Sequence, residues 1–325
     1  MRALRLLQIL FSIFIIQLYA CKPHAVPRTK PHTLIVLELD TAGFYKQPAA
    51  SSTANIRHLS EKAADVIMQR LIKLGIDERN FELSEEMNLI TLKLWQPPNN
   101  SLPIDNILKV LQAKGKIEFW NVYDTRRIFP MIFPDKNNFE NDSIHKVLSK
   151  LLNISSQIIQ EPGKNANYIG DARIADTCSI NAILSKFILP PDLHFLWSIR
   201  RQSWDESVIL YPAKGHYPSL LNPVITDAEI AIDPNFEKWY NIKFIMDSAT
   251  AFKWKRITNE NHEQNIAITI DNNVVTSLFI QGTVENGNCA IYGSFTKEKA
   301  NEIAALIAGG KMPTALNIVE QKIEN

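Results

Sequence analysis

KIEFWNVY, Lys116–Tyr123, is the stretch whose assignment decides the fold. Its apolar, aromatic and β-branched residues read as a strand. Just before it, Pro103 opens a helix reaching Ala113; proline is tolerated early in a helix because its missing N–H would have had no partner there. Further upstream, Asn80–Leu83 and Leu89–Trp95 read as two short strands around the turn-like Ser84–Asn88. Asn55–Leu74 is a long amphipathic helix, with Leu59, Ala63, Val66, Ile67, Leu71 and Leu74 at helical spacing and Gly75 placed to end it. Thr33–Leu39, TLIVLEL, is the first strand. With Lys116–Tyr123 as the fourth strand the order is β-α-β-β-α-β, that of a ferredoxin-like split βαβ unit, over residues 33–128.

Downstream the rhythm breaks. Residues 129–168 read as a linker holding one amphipathic helix, Ile144–Gln160, whose Ile144, Val147, Leu148, Leu151, Ile154 and Ile158 share a face. That face packs between domains or binds a partner. Residues 169–312 carry a second α+β set. Ser179 is placed to cap a helix with Ile180, Ile183, Leu184 and Phe187. Strands follow at Leu193–Ile199, Val208–Tyr211, Val224–Ile232 and Trp239–Met246. Asp247 or Ser248 caps a helix through Thr258. Asn265–Asp271 and Val274–Ile280 flank Asn272-Asn273, a pair that tolerates positive φ, so a hairpin is expected. After Asn288–Tyr292, Thr296 caps the helix Lys297–Ala308, which Gly309-Gly310 stops. Ala315–Glu320 is a last strand, and the class is α+β.

Arg2 and Arg5 precede an apolar run from Leu6 to Tyr19, the pattern of an export signal over residues 1–20. The run is short for a membrane span, which needs about 20 apolar residues. Leu18-Tyr19-Ala20-Cys21 fits the lipobox of bacterial lipoproteins, in which the cysteine is lipidated; an ordinary secretory signal and an uncleaved anchor are the alternatives. Residues 21–32, with their prolines, read as a tether. The expectation is a body in the periplasm, held in the cell envelope by a lipid on Cys21, at the inner or the outer membrane.

Thirty-five basic and 34 acidic residues leave a net charge of +1 with no basic block, which argues against a nucleic-acid partner. Apolar residues make up 46 % of the chain and charged ones 21 %, the balance of a folded protein. The seven histidines are scattered without metal-ligand spacing, so neither a metal nor another cofactor is implied. No nucleophile elbow occurs. Gly309-Gly310-Lys311 follows a helix where a phosphate loop would open one, so it reads as a helix stop. No enzyme is expected. Cys178 and Cys289 are the candidates for a disulfide, with free buried thiols as the alternative.

Two separated blocks resemble the large periplasmic domain of the SecD protein-export family. The first is AADVIMQRLIKLGI, ITLKLW and ILKVLQAKGKIEFWNVY, similar to the family's helix ending in R-x-x-x-L-G-[VI] and the strand and helix-to-strand unit after it. The second runs from VITDAEIAID through DSATAFKWKRITNENHEQNIAITIDNNVVTS to GSFTKEKANEIAALIAGGKMPTALNIVEQ. Between them, DLHFLWSIR resembles a strand of the versions with a long central insertion. The resemblance implies a base near the membrane with a head inserted into it, residues 313–325 returning to the base, and no membrane domain in the chain as given. It implies a membrane-tethered, non-enzymatic module assisting Sec-dependent translocation by binding emerging, unfolded preproteins or Sec translocon subunits. An envelope scaffold or adaptor lipoprotein that retains the fold without the export role is the alternative. An unfolded chain must be held without sequence readout, by strand-edge pairing and shallow apolar patches. The hairpin Asn265–Ile280 and the residues Trp239, Tyr240, Thr276 and Phe279, with Trp254, are the candidate surface; ordinary core packing is the alternative for each.

Overall fold

The computed structural model describes residues 31–41, 53–95, 102–133, 143–154, 167–200 and 206–324. Cys21, the signal and the tether up to residue 30 lie outside them. Strand β1 (His32–Leu39) lies between β3 (Leu89–Leu94) and the last strand, β15 (Leu316–Glu324), and β2 (Phe81–Glu86) completes the antiparallel order β15–β1–β3–β2. Alternation puts Ile35, Leu37 and Leu39 of β1 and Ile90, Leu92 and Leu94 of β3 in one core. Helices α1 (Thr53–Lys73) and α2 (Ile104–Gln112) supply its other layer through Ala63, Ile67, Leu71, Ile107 and Leu111.

Lys116–Tyr123 is a strand, but not of this sheet. β4 (Ile117–Val122) pairs with β12 (Asn265–Ile270) on one side and with β8 (Ser207–Lys214) and β9 (Leu220–Leu221) on the other. It stands inside an eight-stranded sheet ordered β13 (Asn273–Phe279), β12, β4, β8, β6 (Gly170–Arg173), β5 (Asn153–Ile154), with β9 and β7 (Leu193–Trp197) alongside. Its first three residues, Ile117, Glu118 and Phe119, are all buried, so both faces are covered, as in a central strand. β15 has the opposite character: Val319, Glu320 and Ile323 are exposed, which suits an edge. The β-α-β-β-α-β order is therefore completed by β15, nearly two hundred residues later in the chain.

The hairpin of β12 and β13 (Asn273–Phe279) turns at Asp271-Asn272, with φ of 51° and 65°, one residue earlier than the asparagine pair suggests. Two successive positive φ values make this a type I′ turn. Asp271 is held there because its carboxylate accepts the backbone N–H groups of Gly115 (3.2 Å) and Lys116 (2.9 Å). A second sheet of the head has the order β10 (Ile225–Ile232), β11 (Tyr240–Met246), β14 (Asn288–Phe295). Asp247 caps α6 (Ser248–Glu260), accepting the Thr250 N–H at 2.8 Å.

α7 (Lys297–Gly309) joins the two bodies. Thr296 caps it, and Gly310 stops it at φ 66°. Its Ala300, Ile303, Ala304 and Ile307 fill the head core, while Ala305 fills the core under β1. Where it ends, the fully buried Arg70 of α1 donates to the carbonyls of Val110 (2.7 Å), Ala113 (2.7 Å) and Gly310 (2.9 Å). One cation thus satisfies the last carbonyls of α2 and of α7 together. Burial lowers its pKa to about 10, so it stays charged at neutral pH. Gly115 has φ 66° and no room for a Cβ, which would overlap the Arg70 guanidinium and the Gly310 carbonyl.

Between β4 and β8 the chain builds a third body. α3 (Thr125–Ile132), α4 (Ser143–Leu151) and α5 (Thr177–Leu184) pack with β6 (Gly170–Arg173), β7 and β8 around Ile128, Phe129, Phe133, Leu148, Ile180 and Leu184. The helix expected over Ile144–Gln160 ends at Leu151, and β5 (Asn153–Ile154) then pairs with β6; residues 155–160 lie outside the described ones. Leu148 points inward, but Val147 is exposed, because a helix of this length packs only one narrow stripe. Ser179 lies inside the first turn of α5, and Asp176 precedes that helix without a side-chain cap bond.

Candidate functional site

β13 is the end strand of the eight-stranded sheet and β14 the end strand of the three-stranded one. The two edges approach without forming a ladder, and the Thr276 hydroxyl donates across to the Tyr292 carbonyl at 3.3 Å. Beside this seam opens a groove of about 710 Å³. The register sets Glu229 opposite Lys243 and Lys243 opposite Ala290, and likewise Asp227 opposite Ile245 and Ile245 opposite Asn288. All six line the groove from one face of the sheet, while Ile242 and Ile291 occupy the core on the other and Phe244 is shared by core and groove. Leu278, Phe279 and Ile280, at the end of the hairpin, form the facing wall.

A second hollow of about 500 Å³ shares Leu278, Phe279 and Tyr292 with the first and adds Thr276 and Tyr168. Phe279, 47 % exposed, and Tyr292, 61 % exposed, therefore stand between two cavities. The two rings give this seam its exposed aromatic surface. Trp254 of α6 also lines the groove. Its ring packs edge-on against Phe119 with centroids 5.0 Å apart, it is 1 % exposed, and its indole nitrogen has no hydrogen-bond partner.

Of the residues the sequence singles out, Thr276, Phe279 and Trp254 come together here. Trp239 and Tyr240 do not: Trp239 closes a turn, its N–H donating to Phe236 O at 2.9 Å, and Tyr240 packs against the head core. Tyr292, Asp227 and Glu229 were not singled out. The alternation of ITDAEIAI marks Asp227 and Glu229 as one face of a strand, without showing that this face is uncovered.

Asp227 is reached from outside the head. Lys73, in the last turn of α1, places its ammonium 2.7 Å from the Asp227 carboxylate and holds it below the usual carboxylate range. Cys289 lines the groove as a free thiol that burial pushes up to about 12, so it stays protonated and unreactive. Cys178 is a second free thiol, exposed on α5 in the third body, and no disulfide joins the two. Among the described residues no group of three or more His, Cys, Asp or Glu is placed to hold a metal ion, and no helix is long and apolar enough to cross a membrane.

The family described as the P1 head subdomain of SecDF matches residues 215–314. Protein translocase subunit SecD of Calditerrivibrio nitroreducens is 33 % identical over 104 residues, which are 32 % of this chain and 20 % of that protein. SecD of Rhodothermus marinus is 27 % identical over 154 residues, 45 % of this chain and 24 % of its own. A crystal structure of SecDF in a super-membrane-facing form matches 99 % of this chain and 35 % of its own, with a TM-score of 0.50 at 19 % identity, a likeness of fold. The matched stretches thus span about a fifth to a quarter of the length of these curated relatives.

Proposed function

We propose that this chain is a SecD-like periplasmic module that assists Sec-dependent protein export without catalysis. It would hold emerging polypeptides, or contact translocon subunits, in the groove beside β13 and β14. One observation carries the reading: the groove residues, from Asp227 to Tyr292, fall inside the segment that resembles the SecDF P1 head. The physical requirements of the task agree with the site. A client of any sequence can be held by main-chain hydrogen bonds to a free strand edge, with apolar side chains adding weak affinity. The aromatics Phe279 and Tyr292 are placed to supply that affinity.

In-cell photo-crosslinking tests it, with probes at Phe279 and Tyr292 and a control probe at Trp239, away from the groove. Adducts to many unrelated exported proteins or to translocon subunits, from the two groove probes alone, are expected. A single recurring envelope partner would overturn the export role in favour of a scaffold. Tethering by a lipid on Cys21 rests on the sequence alone. Its test is a Cys21→Ala chain, which should leave the membrane fraction on carbonate washing; retention there would rule the lipid tether out.

A further inference from the structure

Away from the groove, a polar hollow opens at one end of the eight-stranded sheet. β4 ends at Val122, and beside that end lie the last residue of β8, Lys214, and the first of β12, Asn265. Both line a hollow of about 220 Å³, together with Arg127 from the first turn of α3. Asn265 is only 9 % exposed, yet its carboxamide makes no hydrogen bond among the described residues. Its amide atoms are not sealed off, so a guest in the hollow reaches them. Buried carboxamides are nearly always satisfied, and one left open on a cavity wall points to a group that meets it there. The charges around it differ in what they already hold. Asp124 accepts from the guanidinium of Arg126 and from its backbone N–H at 3.0 Å, and Glu263, the other acid of the wall, has a partner of its own. Tyr123 gives its hydroxyl to Asp192 at 2.5 Å. The two cations are uncommitted: Lys214 has the Tyr123 ring, 5.4 Å from its nitrogen, and Arg127 forms no ion pair among the described residues.

We propose that this hollow binds a carboxylate group, held by Arg127 and Lys214 and accepting an N–H of Asn265. Charged donors and an open amide are what an oxyanion needs. The acids Asp124 and Glu263 on the same wall disfavour a second negative charge on the guest, which selects a carboxylate over a phosphate dianion. The volume admits an acid group with a short substituent, so the carboxylate belongs to a small free acid or to the C terminus of a polypeptide. The site stands apart from the groove and does not depend on the export reading.

The test is ligand-observed saturation-transfer NMR on the full chain in deuterated detergent at low salt, with propionate as the probe and propionamide as its neutral analogue. Propionate should bind with a Kd on the order of 1 mM, and propionamide should give no comparable signal. Arg127→Gln and Lys214→Gln, both at exposed positions, should each weaken propionate about fivefold, the scale of one exposed charge pair. Asn265→Ala should weaken it about as much, as loss of one hydrogen bond would. Should Asn265→Ala not fold, the two cation variants decide. A propionate signal no larger than that of propionamide means that water alone fills the hollow and overturns the proposal, as does unchanged affinity in both cation variants. Inorganic phosphate binding tighter than propionate overturns the choice of a single negative charge. N-acetylated trialanine and its C-terminal amide distinguish the two sources. Binding by the acid and not by the amide supports a polypeptide C terminus, whereas binding of propionate alone supports a small free acid.

Discussion

The sheet under α1 and the sheets of the head both end in strands with a free edge, and they treat those edges in opposite ways. At the base, β15 reads LNIVEQKIE and β2 reads FELSEE, so charges sit along both edges. Lys322 pairs with Glu320 at 2.9 Å and Glu324 at 3.0 Å, and Glu82 faces Lys93 at 3.7 Å. Charged side chains on an edge oppose pairing with another chain, because an added strand would have to desolvate them. In the head, β13 reads NVVTSLF and β14 reads NCAIYGSF, without one charged residue. The charged edges of the base thus contrast with the two facing edges of the head, although β10 at the far end of the three-stranded sheet carries Asp227 and Glu229, and Val274 of β13 accepts the Ile199 N–H at 2.8 Å. The uncharged edges of β13 and β14 lie beside the 710 Å³ groove, which is where the proposed function puts its guest.

The contrast depends on the two bodies being held in one arrangement, and the largest expected effect therefore lies at their junction. Arg70→Met should lower the unfolding free energy by about 3 kcal/mol, since the carbonyls of Val110, Ala113 and Gly310 lose their common donor inside the core. Urea denaturation measures it. A loss below about 1 kcal/mol would mean that water replaces the guanidinium and that the junction is looser than its packing implies.

The next effect is on binding. Tyr292→Lys puts a charge on the head edge as the base does at Lys322, at a position already 61 % exposed. Crosslinking from Phe279 should fall severalfold, while thermal stability moves within about 0.5 kcal/mol, the usual range for surface changes. Retained crosslinking would show that the edge is not the contact. The converse change, Glu320→Val with Lys322→Val, strips the base edge of its charges. It should make the chain self-associate through β15, visible as a larger species in sedimentation velocity; a monomer like the wild type would mean that the strand twist alone protects this edge.

These edges also mark how far the sequence could be read. Periodicity shows that Lys116–Tyr123 is a strand, since that is a local property. Which sheet it joins depends on partners about 95 and 150 residues away, at β8 and β12, that no local pattern names. The one hint in the sequence was the contrast between the aromatic, apolar IEFWNV of β4 and the polar, edge-like run Glu320–Glu324. The hairpin was legible, but its turn moved to Asp271 because that carboxylate serves the Gly115 and Lys116 amides. Thr276 and Phe279 were legible as strand residues. Tyr292 was not, because its exposure results from β14 ending a sheet, a fact of topology. Trp239 and Tyr240 are aromatic in the same way, yet one turns the chain and the other packs inward.

The smallest effect measures what a closed edge costs the base. Glu85, on β2, sits near Glu61 and Asp65 of α1, and partial burial together with those two carboxylates raises its pKa, Arg57 opposing. A raised folded-state pKa means that the folded protein keeps this proton to higher pH than the unfolded chain does. Stability is therefore lost as pH rises through that range, and at pH 7 the ionised Glu85 is a small liability. Because the group is largely exposed, solvent screening limits the effect to less than about 0.5 kcal/mol. Glu85→Gln should accordingly raise the unfolding free energy slightly at pH 7 in low salt. The gain should fade both in high salt, where the repulsion is screened, and at pH 4, where the wild-type carboxyl is largely protonated in the folded state. A gain that persisted at pH 4 would have to come from strand propensity, and the acids along β2 would then guard the edge at no electrostatic cost.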